Sequence, residues 1–164
     1  MSSNSALAKP VAKPLIKALA QRLSDALLPG DPPFAAGELE RAAEFTVAAA
    51  AERDSAAAAI AIESVSGAAG ERFMRLALIN DDMPFLVDSI ASTIAAHGLA
   101  IDRLVHPVLP VRRDGEGRLT AIPAGDAAGE KRESMVYLET DRADAKGRLA
   151  LADGLGIPSP SDVE

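Results

Sequence analysis

Cysteine is absent from the 164 residues, which removes disulfides, thiolate metal sites and cysteine nucleophiles together. Aromatic residues make up 3% and tryptophan is missing, so the core has to come from Ile, Leu, Val, Met and four Phe. Much of the 48% hydrophobic content is alanine, enough for a small layered domain but not for a large enzyme with a deep cleft. Basic residues are outnumbered, 17 Lys and Arg against 24 Asp and Glu, and the net charge is −7. Such a surface repels a polyanion, so general nucleic-acid binding is not expected. No apolar run approaches a membrane span, and "MSSNSALAKPVAKPLIKALAQRL" lacks the ordered regions of a signal peptide, so the cytoplasm is the expected location.

What is present reads as alternating short elements. Residues 1–9 have little to bury and are expected to be disordered. Leu15, Leu19, Leu23 and Leu27 recur at every fourth position and predict a helix from Pro14 to about Leu27, ended by "LPGDPPF". A second helix is predicted over 37–53, with Leu39, Ala42, Ala43, Val47 and Ala50 on one face. "AIAIESV" (59–65) and "RFMRLALI" (72–79) read as strands joined by "SGAAG", a β-hairpin. In the second strand Met74, Leu76 and Leu78 alternate with Phe73, Ala77 and Ile79, so both faces are apolar.

The next segment, "INDDMPFLVDSI" (79–90), sets three polar residues between that strand and a helix predicted over 83–97. Met83, Val87, Ile90 and Ile94 form its expected buried stripe. Asp82 is placed to cap its first amides, Pro84 to sit in its first turn and Gly98 to end it in a left-handed conformation. "AIDRLVHPVLPVRR" (100–113) alternates as a strand whose Pro107 and Pro110 suit an outer edge or a bulge. "DGEGR" (114–118) is a turn, and 119–132 is a loop with at most a brief strand. "ESMVYLETD" (133–141) is the last strand, and 142–153 a weak helix containing Gly147.

The ordered trio "NDDMPFLVDSI", "HGLAIDRLVHPVLPVRRD" and "ESMVYLETDR" resembles the N-terminal, ACT-like region of the large bacterial NAD-specific glutamate dehydrogenases. The resemblance covers about 60–140 well and the helices before it loosely. The element order of helix, helix, strand, strand, helix, strand, strand, together with this resemblance, predicts an α+β fold, a ferredoxin-like or ACT-like two-layer sandwich with an antiparallel sheet, open to circular permutation and preceded by an N-terminal helical segment. The corresponding division is a tail and helical arm over 1–34, an ACT-like domain over 35–141, and a weak helix with a flexible tail over 142–164.

The resemblance implies a regulatory or architectural piece of an enzyme that oxidises L-glutamate to 2-oxoglutarate and ammonia with NAD. Its partners would be the catalytic and other domains of the same polypeptide, in a homo-oligomer. NAD would belong to the parent enzyme. No cofactor is expected on this piece, since no G-x-G-x-x-G follows a strand. Neither a catalytic nor a metal-binding residue is expected: His97 reads as a helix-end residue and His106 as a packed or hydrogen-bonded one. Arg112 and Arg113 close a strand, as solvated surface or as an anion contact with another domain.

Two readings of the turn stay open. One is capping and packing. The other is an amino-acid effector held at Asn80, Asp81, Asp82, Met83 and Pro84, beside His97 and Gly98 across a dimer interface. Phe85 stands where effector-binding ACT domains carry glycine, and the resemblance implies a ring that fills the pocket itself. A free-standing small enzyme of ferredoxin-like fold is the third functional reading, and the lack of any convergent acid, base and nucleophile set argues against it.

Overall fold

The computed structural model describes residues 12–35, 37–53, 57–67, 70–83, 85–124 and 131–155; the segment 1–9 and the residues beyond 155 lie outside these. The elements run α1 (Lys13–Asp25), α2 (Glu38–Ala50), β1 (Ala59–Ser66), β2 (Arg72–Asp81), α3 (Leu86–Ala96), β3 (Ile101–Val105), β4 (Val108–Arg113), β5 (Leu119–Ala121), β6 (Lys131–Thr140) and α4 (Ala145–Leu155). All strand pairs are antiparallel, in the order β1-β2-β6-β4-β5, with β3 also against β6. The class is α+β, consistent with the ACT or ferredoxin-like fold: β2, α3 and the β3–β4 strand form a split βαβ unit with β6 inserted between its strands.

β3 and β4 are one strand in two parts. Val105 opposes Tyr137 and Val108 opposes Ser134, so the register against β6 runs unchanged past His106 and Pro107. The Met135 amide donates to the Pro107 carbonyl at 3.0 Å, bridging the gap where proline has no N–H to give. Pro110 opposes Arg132, and β5 extends the sheet only beside Arg112 and Arg113.

The alternation in β2 divides the interior into two. Met74, Leu76 and Leu78 join Leu86, Ile90, Ile94, Val136, Leu138, Leu151 and Leu155 beneath α3 and α4. Ala77 and Ile79 join Leu19, Leu23, Ala42, Ala43, Val47, Met135 and Tyr137 beneath α1 and α2. Helices therefore cover both faces: the expected two-layer sandwich is completed on its other side by the N-terminal helical pair, which packs directly on the sheet. Burying both faces of the central strands is why their sequences are nearly continuously apolar.

Three local expectations differ from what is found. α2 stops at Ala50, not Arg53, because the Leu119 amide donates to the Ala51 carbonyl and Glu52 bridges to Arg118, turning the chain into the sheet rim. α3 begins at Leu86 rather than Met83, so Leu86, Ile90 and Ile94 make the buried stripe and Met83 is 40% exposed. Asp82 does not cap this helix; the N-cap is Phe85, with no side-chain cap hydrogen bond. At the other end Gly98 does take the left-handed conformation, φ +75°.

Candidate functional site

The polar turn that ends β2 joins a network at the rim of the sheet. Register places Asp81 directly opposite Glu133, two carboxylates on neighbouring strands that would repel without a cation between them. Arg53, carried in from the end of α2, supplies it. Its Nη1 lies 3.0 Å from Asp81 Oδ1 and 2.8 Å from Glu133 Oε2, its Nη2 donates to Asn80 Oδ1 at 3.0 Å, and its Nε to the Ala57 carbonyl at 2.7 Å. Arg113, at the end of β4, grips Glu133 from the other side in a two-point fork, 2.9 and 2.8 Å. Its remaining nitrogen donates to the Ala50 and Gly117 carbonyls, each at 2.8 Å. Lys131 stands further off, 3.4 Å from Asp81.

Glu133 is fully buried. Burial alone pushes its carboxyl pKa up, but Arg113 and Arg53 together outweigh burial and hold it below the ordinary carboxylate range. The same balance, burial against Arg53 and Lys131, depresses Asp81. Beside the network lies an open cleft of ≈ 930 Å³, lined in part by Arg53, Val111, Arg113, Gly117, Thr120 and Lys131. Arg53 and Arg113, which face it, are already engaged by carboxylates, carbonyls and an amide oxygen, so this part of the cleft is a closed ionic clamp.

The other residues of the turn behave differently. Asp82 and Met83 are exposed, and Pro84 lies outside the described residues. Phe85 adopts φ +65°, the only non-glycine with positive φ among the described residues, and its ring is 78% exposed instead of filling a pocket of its own chain. A left-handed conformation costs an L-residue roughly 1–2 kcal/mol, and here no burial offsets it. Phe85→Gly is therefore expected to raise stability by about 1 kcal/mol, read as a higher urea midpoint with an unchanged slope; a loss would mean the ring packs in a way its exposure denies.

His97 and Gly98 close the far end of α3, about 16 Å from its start by helical rise, so one copy of the chain does not bring them to the turn. His97 Nδ1 lies 2.8 Å from the Thr93 carbonyl oxygen, an end-of-helix contact of the kind its position predicts.

A family model described as "Glutamate dehydrogenase, ACT1 domain" matches residues 67–155. The chain belongs to the glutamate dehydrogenase ACT1 domain family. Among curated proteins, an NAD-specific glutamate dehydrogenase of Halomonas elongata is 41% identical over 69 residues, 41% of this chain and 4% of the relative. Another from Pseudomonas aeruginosa is 39% identical over 74 residues, 44% of this chain and 5% of the relative. The matched stretch is thus a small part of either dehydrogenase. No solved structure matches the chain significantly.

The ACT1 match spans β2, α3, β3, β4, β5, β6 and α4, so the turn, Glu133 and Arg113 fall within it while Arg53 reaches in from outside. Among the described residues of this ACT1 domain, one histidine meets a hydroxyl: His106 Nε2 lies 2.5 Å from Ser134 Oγ. Ser134 is fully buried, so the contact ties the bend between β3 and β4 to β6 and offers no hydroxyl to a substrate. Burial lowers the His106 pKa, with the charge of Asp82 opposing. Among the described residues no group of three or more His, Asp or Glu converges to hold a metal ion, and no helix is long and apolar enough to cross a membrane.

A second polar network missing from the sequence reading lies beneath α2. Arg75 Nε donates to the Tyr137 hydroxyl at 2.9 Å, which donates to Glu139 at 2.7 Å, and Arg103 pairs with Glu139 at 3.0 Å. Arg103 also lies 4.2 Å from the Phe34 ring centroid, fastening the proline-rich connection between α1 and α2 to the sheet. Neither network leaves a local motif, because the arginines and the side chains they bind lie 20 or more residues apart.

Proposed function

We propose that this ACT1 domain is a regulatory or assembly module of an NAD-dependent glutamate dehydrogenase and does no chemistry itself. The parent enzyme would be cytoplasmic and homo-oligomeric, and would convert L-glutamate and NAD to 2-oxoglutarate, ammonia and NADH on other domains of the same polypeptide. The observation that supports this reading is the engagement of the charged rim: Asn80, Asp81, Glu133, Arg53 and Arg113 bind one another, as a scaffold needs and a reaction centre does not. Its test is direct. Glutamate-dependent NADH formation by this chain alone should be nil, and removing the segment from the full dehydrogenase should alter oligomeric state or effector response before it alters the chemical step. Turnover by the isolated chain would overturn the reading.

An amino-acid effector at Asn80–Met83 and Pro84, with His97 and Gly98 supplied by a second copy, is the alternative. Asp82, Met83 and His97 are exposed and accessible to it, but Asn80 and Asp81 are already held by Arg53. A ligand at a hundred times its Kd adds about 2.7 kcal/mol to the folded state, so thermal unfolding with a panel of amino acids decides between the two. A melting temperature that does not respond removes the effector reading.

A further inference from the structure

Phe85 costs the chain twice over, in its left-handed backbone and in its exposed ring. The other three phenylalanines are engaged: Phe34 meets the Tyr137 ring and the Arg103 guanidinium, and Phe45 and Phe73 lie against the Arg75 guanidinium. Backbone strain persists only where the surrounding structure holds it, and it concentrates at binding and switch regions. Here both sides are held. Arg53 grips Asn80 and Asp81 before the turn, and Leu86 is buried after it at the start of α3. The turn thus presents an aromatic ring from a tethered backbone, with Met83 exposed beside it. An aromatic side chain presented in this way loses little freedom on docking, as an interface anchor requires.

The charges around the ring define what it fits. Residues 80–96 hold three aspartates, Asp81, Asp82 and Asp88, and no Lys or Arg. Asp81 is paired with Arg53 and Lys131, whereas Asp82 and Asp88 are exposed. We propose that Phe85, with Met83 beside it, inserts into an apolar pocket rimmed by Arg or Lys on another domain of the dehydrogenase polypeptide; this rests on the assembly reading above. The aspartates steer a cationic rim to the turn, and the ring fills the pocket behind it. A second copy of this chain is a poor match, because it brings the same net charge of −7 and the same acidic turn. A dehydrogenase of the relatives' size has ample other surface, since the matched stretches are 4% and 5% of the two relatives. The ionic clamp then gains a second task, holding the turn from which the anchor projects.

The test uses the full-length dehydrogenase that carries this chain. With photoreactive benzoylphenylalanine in place of Phe85, irradiation should link position 85 to an apolar peptide bearing Arg or Lys from outside residues 1–164. Asp82→Lys, a change at an exposed position, should cut that yield about threefold or more; an unchanged yield would overturn the cationic rim. The Leu86, Val87 and Asp88 amides open α3 without a side-chain cap. Their hydrogen exchange should be about tenfold or more slower in the full-length enzyme than in this chain alone, and Phe85→Gly should erase the difference. Glycine suits the left-handed step, so this variant keeps the turn while removing the anchor. Cross-links confined to residues 1–164, no cross-link at all, or equal exchange in the two proteins would each overturn the inference. If deleting residues 1–164 still changes oligomeric state or effector response, the assembly reading stands and only this contact falls; if the deletion is silent too, both fall.

Discussion

Glu133→Ala is expected to cost about 3–5 kcal/mol of folding stability, because it leaves two guanidiniums buried without their shared anion. The side chains of Arg53 and Arg113 are 1% and 9% exposed, so water cannot replace what the carboxylate supplied. For a small domain with roughly 5–15 kcal/mol in total, that is a large fraction. Asp81 tests the point by contrast. It touches the same Arg53, but its side chain is half exposed, so solvent screens the pair and Asp81→Ala should cost far less. Urea titrations of the two variants side by side give the comparison, and equal losses would mean that Glu133 is not the keystone.

The same carboxylate sets a pH dependence. An unfolded glutamate titrates near pH ~4.3, and the folded Glu133 titrates lower because Arg113 and Arg53 outweigh the opposing effect of burial. Its contribution is therefore fully present above about pH 4.3 and is lost as pH falls through the folded value. Glu133→Gln should remove this part of the acid sensitivity, flattening the stability curve below about pH 4.3 while lowering it at neutrality. A parallel offset at every pH would show the charge to be irrelevant.

Gly117→Ala should be nearly as damaging, by way of the backbone. Gly117 has φ +83°, and a Cβ built there would lie 2.2 Å from the Arg53 carbonyl oxygen, a main-chain atom with little room to yield. The left-handed conformation costs alanine roughly 1–2 kcal/mol, and the overlap adds roughly 1–3 more. The overlap also pushes on the clamp. The Arg53 amide donates to the Gly117 carbonyl at 3.1 Å, and Arg113 uses that same carbonyl. Gly98→Ala is the control: φ is +75° there, but nothing lies within 4 Å of its added Cβ, so only the conformational part applies. Identical midpoints for the two alanine variants would show that the approach of Gly117 to Arg53 contributes nothing.

Elements with their own periodicity are legible in the sequence. The leucine stripe of α1 places Leu19 and Leu23 in the core, and the alternation of β2 assigns Met74, Leu76 and Leu78 to one face and Ala77 and Ile79 to the other. The start of α3 was less legible, because Asp82 and the following proline mimic a helix entrance. The chain instead takes a left-handed step at Phe85 before the stripe begins at Leu86. α4 looked weak because its propensity is poor; Leu151 and Leu155 hold it by packing under α3, a tertiary effect that local pattern does not carry. The clamp was the least legible of all. Asn80 and Asp81 drew notice as polar residues after an apolar run, but what they serve depends on Arg53 and Glu133, eighty positions apart and brought together only by the tertiary fold.

The late position of β6 in the chain also has a consequence for biosynthesis. This strand lies between β2 and the β3–β4 strand and pairs with each of them. A ribosome adding roughly 5–20 residues per second makes both flanking strands well before their common neighbour emerges. Until Thr140 clears the exit tunnel, the nascent polypeptide therefore carries half-built apolar surfaces on β2, and chaperone protection or a translational stop before Lys131 would act on that unfinished sheet.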